Sequence, residues 1–295
     1  MSERSSVVPP FSVPYGSCDA HLHVYCHSKS VEGPIPARAD VTAYAALRSR
    51  FGLSRAVVVQ PRPYRTDNSI VLAAIAALGG ANTRGIAVLH PDVSDRELQA
   101  LHEGGIRGVR FSLFTQRNAV VTFDMVEALA RRVNPLGWHL QLHWTASQIV
   151  EHETLLRRLP TPVIFDHMAR VPVDAGTRHP AFGVVASLLQ NARAWVKLSG
   201  PYVESRTGPE DGFRDIDPIA QAWIACAPDR LVWGSDWPQS DWRGITADEA
   251  LRKLLTALGR WAGTEEMTRK LLVVNPAILY GFDQSQGDAQ METST

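Results

Sequence analysis

Short β-rich runs alternate with helical patterns along nearly the whole chain, and this alternation constrains the fold more than any other feature. Eight runs rich in Val, Ile, Leu or aromatic residues, each too short for a helix, span 17–24, 56–60, 85–89, 108–111, 139–143, 163–167, 195–199 and 231–236. Helical patterns fill the intervals at 41–51, 70–78, 97–102, 123–133, 147–159, 182–189, 219–225 and 250–258. Thr66-Asp67-Asn68 is placed to cap the second of these. Ser94 with Glu97, and Thr246 with Glu249, have the spacing of capping boxes. Eight such units of about 30 residues read as a (β/α)8 barrel or a doubly wound sheet. No strand is followed by a G-x-G-x-x-G turn, which favours the barrel. At 295 residues the chain suits one barrel domain over 16–283, with an irregular lead-in (1–15) and a polar tail (284–295).

A barrel demands that reactive side chains gather at the C-terminal strand ends, where the βα loops converge. They do. Asp19, His21 and His23 close the first strand; Gln60 and Arg62 follow the second and His90 the third. Arg110 closes the fourth, His143 the fifth, His167 the sixth and Asp236 the eighth. His102, His152 and His179 lie elsewhere and read as surface residues.

The strand period of two puts His21 and His23 on one face, predicted to be the barrel interior, together with Asp19. Two imidazoles so placed can bind a divalent metal or donate hydrogen bonds to a polarised carbonyl oxygen. A carboxylate at Asp236, ending an apolar strand, is costly to bury without a metal, histidines or a water to compensate, and it makes a good general base.

Together, Asp19-x-His21-x-His23, Asp166-His167-Met168 and Trp233-Gly234-Ser235-Asp236-Trp237-Pro238 resemble the amidohydrolase superfamily. The resemblance is to its branch containing 2-pyrone-4,6-dicarboxylate lactonase, galactarolactone isomerase and 4-sulfomuconolactone hydrolase. It extends over about 16–283 through Val58-Val59-Gln60-Pro61, Arg107-Gly108-Val109-Arg110-Phe111 and Asn275-Pro276-Ala277-x-x-Tyr280-Gly281-Phe282. It implies a hydrolase in which Asp236 activates water while His21, His23 and His167 polarise the scissile carbonyl. It also implies either no metal or one divalent metal, zinc first, held by His21, His23, His167, His143 and Asp236. Dinuclear members add a carboxylated lysine or a glutamate at strand 4; Arg110 and Ser112 stand here, so two metals are disfavoured.

The same resemblance makes Arg110 the grip on a substrate carboxylate and Arg117 a second one. This chain departs from the pyrone lactonase at Arg62 and Tyr64 after strand 2, at His143 in place of a tyrosine, and at Pro201-Tyr202 where an arginine is expected. The binding set is therefore Arg110, Arg117, His143, Arg62 and Tyr202, with His90 and Trp144 as further pocket walls, and the dicarboxylate substrate itself does not carry over. The expected substrate is a small carboxylated lactone. Lactone isomerisation, metal-dependent decarboxylation of an organic acid, and a non-catalytic carboxylate-binding barrel are the competing readings.

Composition excludes other classes. Thirty basic residues balance thirty acidic ones, which gives no general attraction to nucleic acid or anionic membrane. Arginine accounts for 26 of the 30 basic residues, a bias that genome composition explains except where position singles one out. Three cysteines form no framework, and no apolar run resembles a signal peptide or membrane span. A cytoplasmic protein is expected, with a homo-oligomer left open.

Overall fold

The computed structural model describes residues 11–26, 35–115, 117, 119–239, 242 and 244–283. Strands β1 (Cys18–Leu22), β2 (Arg55–Val59), β3 (Thr83–Ala87), β4 (Ile106–Ser112), β5 (His139–His143), β6 (Val163–Phe165), β7 (Ala194–Leu198) and β8 (Leu231–Trp233) form one parallel sheet in chain order. Beyond β8 the chain returns to β1: Asp236 N donates to His21 O at 2.7 Å and His23 N to Trp237 O at 2.9 Å. The protein is a single-domain (β/α)8 barrel. Helices α1 (Val41–Arg50), α2 (Ser69–Leu78), α3 (Asp95–Glu103), α4 (Phe123–Val133), α5 (Ala146–Glu151), α6 (Glu153–Arg158), α7 (Pro180–Gln190), α8 (Asp217–Cys226) and α9 (Ala247–Ala262) fill the intervals. Two more, α10 (Glu265–Arg269) and α11 (Asn275–Tyr280), follow. Among the described residues no helix is long and apolar enough to cross a membrane.

Alternation along the strands divides the core in two. Cys18, Ala20, Val57, Val59, Ile164, Trp195 and Val232 pack inside the barrel, where Tyr280 and Phe282 join them. Tyr280 lies 5.4 Å from the ring of His139, the first residue of β5, so the C-terminal segment plugs the end opposite the βα loops. The alternate residues, Leu140, Leu142, Phe165 and Trp233 among them, pack outward in the core shared with the helices. Burying such side chains stabilises the fold by about 1.5–3 kcal/mol each.

Local signals act mostly as expected. Ser94 and Thr246 accept from the amides of Glu97 and Glu249. The pattern at 147–159 is instead two helices, broken at His152 (φ −101°, ψ 21°), whose ring stacks on Phe123 at 3.9 Å. Asn68 does not cap α2 with its side chain; it clasps both the N–H and the C=O of Val88 just beyond β3.

Asp19 does not share the face of His21 and His23. The β1 register is irregular between Asp19 and Leu22, and Cys18 and Ala20 are the residues that enter the barrel. Asp19 accepts from Ser235 N (2.8 Å), Ser235 Oγ (2.6 Å) and Tyr44 Oη (3.1 Å), fastening β1 to the chain after β8 and to α1. Burial outweighs these donors and pushes its carboxyl up to about 6. The proton is thus held more tightly in the folded chain than in the unfolded one. This contribution to stability is complete below about pH 4 and is lost as pH rises through 6. Asp19→Asn has no such ionisation. Its melting temperature relative to the parent should climb between pH 5 and pH 8 in a thermal-shift series, and a pH-independent difference would contradict this assignment.

Candidate active site

The C-terminal strand ends open into a cavity of about 210 Å³ lined by His23, Arg62, Arg110, Ser112, His143, His167, Tyr202 and Asp236, with aromatic walls from Tyr25, Phe114 and Trp242. His21 lies fully buried beneath it. Close packing at the base needs two glycines. A Cβ on Gly234 would come within 2.5 Å of the Cβ of His21, and one on Gly200 within 2.4 Å of Nδ1 of His167. Gly200 is also left-handed, at φ +54°.

His167 is aimed by unusual backbone. It begins a run of four left-handed residues without glycine, His167, Met168, Ala169 and Arg170, with φ between 50° and 60°. Each costs roughly 1–2 kcal/mol relative to a right-handed conformation. Burial of Met168 and Ala169 helps to hold the turn, as does Trp223 Nε1 donating to Met168 O at 3.3 Å. Asp236 is left-handed as well, at φ 55°, and precedes a cis Trp237–Pro238 bond.

Three side-chain atoms converge most closely. His21 Nε2 is 3.3 Å from His23 Nε2, and they lie 3.4 and 3.3 Å from Asp236 Oδ1. His23 Nδ1 faces the carbonyl of Val59 at 2.9 Å. A carbonyl only accepts, so the proton sits on Nδ1 and Nε2 presents a lone pair. His21 Nδ1 lies 3.4 Å from both Asp166 Oδ1 and Lys197 Nζ; in the tautomer that directs its proton at the carboxylate, Nε2 is bare as well. Burial, aided by Lys197, keeps His21 well below the ordinary imidazole range despite Asp166 and Asp236. Burial alone would raise the Asp236 carboxyl; protons on His167, His21 and His23 outweigh it and hold that carboxyl well below the usual carboxylate range. With the two Nε2 atoms bare, a cation would have to take the place of those protons.

These donors suit one cation. Ligands at about 2.0–2.1 Å in tetrahedral geometry stand roughly 3.3–3.4 Å apart, the separations found here. The Asp166–His21 contact supplies the carboxylate that commonly supports a metal-binding imidazole. A second group, His21, Asp166 and His167, is also compact, but Asp166 already faces two cations and suits a metal poorly. Arg110 Nη2 lies 3.2 Å and Lys197 Nζ 3.6 Å from its carboxylate. Those cations and His21 hold Asp166 well below its usual range in spite of burial.

His143 joins neither group. Its Nδ1 lies 3.3 Å from Arg110 Nη2 and 3.2 Å from Ser112 Oγ, and its ring stacks on Phe114 at 4.2 Å. His167 stands beside the other oxygen of Asp236, with Nε2 3.8 Å from Oδ2 and Nδ1 3.1 Å from Ser199 Oγ. Tyr202 donates to Asp236 Oδ2. Arg62 is at the exposed rim, its guanidinium 5.8 Å from the Phe114 ring centroid.

Arg117 is exposed and does not line the cavity. Nor do His90, which bonds Val120 O at 2.7 Å, and Trp144, which packs edge-on against Phe123. His102, His152 and His179 are half-buried and structural: His102 accepts from Trp138 Nε1, and His179 caps α7.

Lys197 was not singled out as a site residue by sequence reasoning. It is fully buried, donates to Gln141 Oε1 at 2.7 Å and approaches His21 Nδ1 to 3.4 Å. Burial lowers its ammonium to about 8 against the pull of Asp166. Parity with Trp195 marks Lys197 as inward on β7 but says nothing of its partners.

Fold and site together define an enzyme barrel with a His–His–Asp donor set at its strand ends. The chain belongs to the amidohydrolase family, whose family model matches residues 18–282. It is 34% identical over 286 residues to a 2-pyrone-4,6-dicarboxylate hydrolase of Comamonas testosteroni, covering 92% of each chain. It is 32% identical over 277 residues to a 4-sulfomuconolactone hydrolase of Rhizobium radiobacter, again covering 92% of each. A crystal structure of a probable 2-pyrone-4,6-dicarboxylic acid hydrolase from Acinetobacter baumannii, with citric acid bound, superposes with a TM-score of 0.76 at 28% identity. That match covers 90% of this chain and all of the other.

Proposed function

We propose that the protein hydrolyses the ester bond of a small carboxylated lactone. The observation that carries this reading is Asp236, wedged against His21 and His23 and facing across the barrel to Arg110 on the strand opposite. Two relatives more than 30% identical are named as hydrolases of lactone-type rings bearing acidic groups, and the Acinetobacter protein holds a tricarboxylic acid.

In this reading Arg110 anchors the substrate carboxylate, with Arg62 adding charge at the rim. Asp166 takes Nε and Nη2 of Arg110 and fixes the plane of the guanidinium, which leaves Nη1 for the substrate. The Asp236 carboxylate accepts a proton from water as the oxygen attacks the lactone carbonyl. The ring C–O bond breaks, and its oxygen must then receive a proton. His167, with Nδ1 tied to Ser199, presents Nε2 beside the reacting carbonyl.

His21, His23 and Asp236 would hold a single divalent metal, zinc first, and such a metal would polarise the carbonyl as a Lewis acid. Elemental analysis should find about one metal equivalent per chain, reduced in His23→Ala. A metal content near zero in active protein would contradict that part of the reading.

Arg110→Ala should raise KM for carboxylated lactones by about 100-fold and leave neutral lactones nearly unchanged. Steady-state kinetics on a matched pair of lactones checks this; equal losses on both would remove the anchoring role.

A further inference from the structure

The two oxygens of Asp236 have different company. Oδ1 faces His21 Nε2 at 3.4 Å and His23 Nε2 at 3.3 Å, whereas Oδ2 accepts the phenol hydrogen of Tyr202. Tyr202 is held for this contact. Beyond β7, Ser199 bonds His167, left-handed Gly200 turns the chain, and the turn Pro201–Val203 carries the tyrosine back over the cavity. Its ring meets Trp242 edge-on at 5.4 Å. Both Tyr202 and Asp236 line the cavity.

A proton that reaches Oδ2 from the attacking water finds the phenol hydrogen already on that O···O line. Oδ2 has a second lone pair for it, and the carboxyl group, once neutral, can donate along that line while the phenol turns its own hydrogen toward the cavity.

We propose that Tyr202 is a catalytic residue, the proton donor to the leaving oxygen, working in relay with Asp236. This inference rests on the lactonase reading above. Hydroxide from water bonds to the carbonyl carbon and the water's second proton goes to Asp236. The ring C–O bond breaks with its electron pair on the ring oxygen, and the Tyr202 phenol proton passes to that oxygen. The proton on Asp236 then moves to Tyr202, and both groups return to their starting states. The product is a ring-opened hydroxy acid, or its keto tautomer from an enol lactone.

The dependence of rate on the leaving group tests this. Tyr202→Phe would be compared with the parent on carboxylated lactones that the parent opens, graded from enol lactones, whose enolate leaves readily, to saturated lactones, whose alkoxide needs a proton. The kcat of Tyr202→Phe should fall about 100-fold or more at the saturated end and less than about 10-fold at the enol end. KM should change less than about threefold throughout. Retained enol-lactone turnover would show that the variant is folded. A uniform loss across the series, or no loss, would overturn the donor role and assign the proton to another group such as His167. Failure of the parent to open any lactone would instead overturn the lactonase reading, and the Tyr202 role with it.

Discussion

Replacing Asp236 by Asn lowers kcat for a carboxylated lactone by about 10³-fold or more while the substrate still binds, because the variant keeps the cavity and Arg110 but has no carboxylate to take the water's proton. Asn is nearly isosteric, so the contacts with His21, His23 and Tyr202 lose charge without losing shape. Removing the carboxylate should also weaken metal retention, since one of three converging donors becomes neutral. Turnover measured beside calorimetric binding of the same lactone to the variant separates the two effects. Undiminished turnover would eliminate Asp236 as the base.

The second large effect concerns a residue beneath the cavity. Asp166 accepts from Gln141 Nε2 at 3.0 Å and from Arg110 Nε at 3.2 Å, and faces Lys197 and His21. Asp166, Gln141 and Lys197 are at most 1% exposed, and Arg110 is 5% exposed. Asp166→Asn leaves the cations of Arg110 and Lys197 together in the interior without their counter-charge. Removing one partner of a buried ion pair typically costs about 3–5 kcal/mol, a fall in melting temperature of roughly 10 °C for a chain of this size. The double variant Asp166→Asn/Lys197→Met should recover part of that loss, because it removes one uncompensated charge. Thermal melts of the single and double variants measure the coupling. Additive losses would show that the two groups do not sense each other.

Much of this network was readable from strand parity. His139–His143 and Phe123–Val133 fall where the pattern places them, and Arg110, His143, His167 and Asp236 all reach the strand-end cavity. Parity failed where the backbone departs from regular geometry. The register irregularity in β1 turns Asp19 outward toward Tyr44, which no period-two count foresees. The left-handed turn from His167 to Arg170 contains no glycine to announce it, yet it sets the direction of His167 and brings Arg170 to 5.2 Å from the Phe114 ring centroid.

Loop residues were less legible than strand residues for a related reason. Arg117 is assigned by resemblance within a loop and Arg62 by its position after a strand, and neither says which way a long side chain turns. One ends exposed away from the cavity and the other at its rim. Lys197 was hidden by its neighbours. A single lysine between Val196 and Leu198 gives no motif, and its meaning appears only when Gln141, Asp166 and His21 converge on it from other strands.

The central claim is that water, activated at Asp236, attacks a lactone carbonyl. The direct measurement is mass spectrometry of the product formed by the purified protein from a carboxylated lactone in ¹⁸O-labelled water. Hydrolysis at the carbonyl predicts a ring-opened acid with one labelled oxygen in the newly formed carboxyl group. A rearranged lactone without label, label in the new hydroxyl group, or no product from any carboxylated lactone would contradict it.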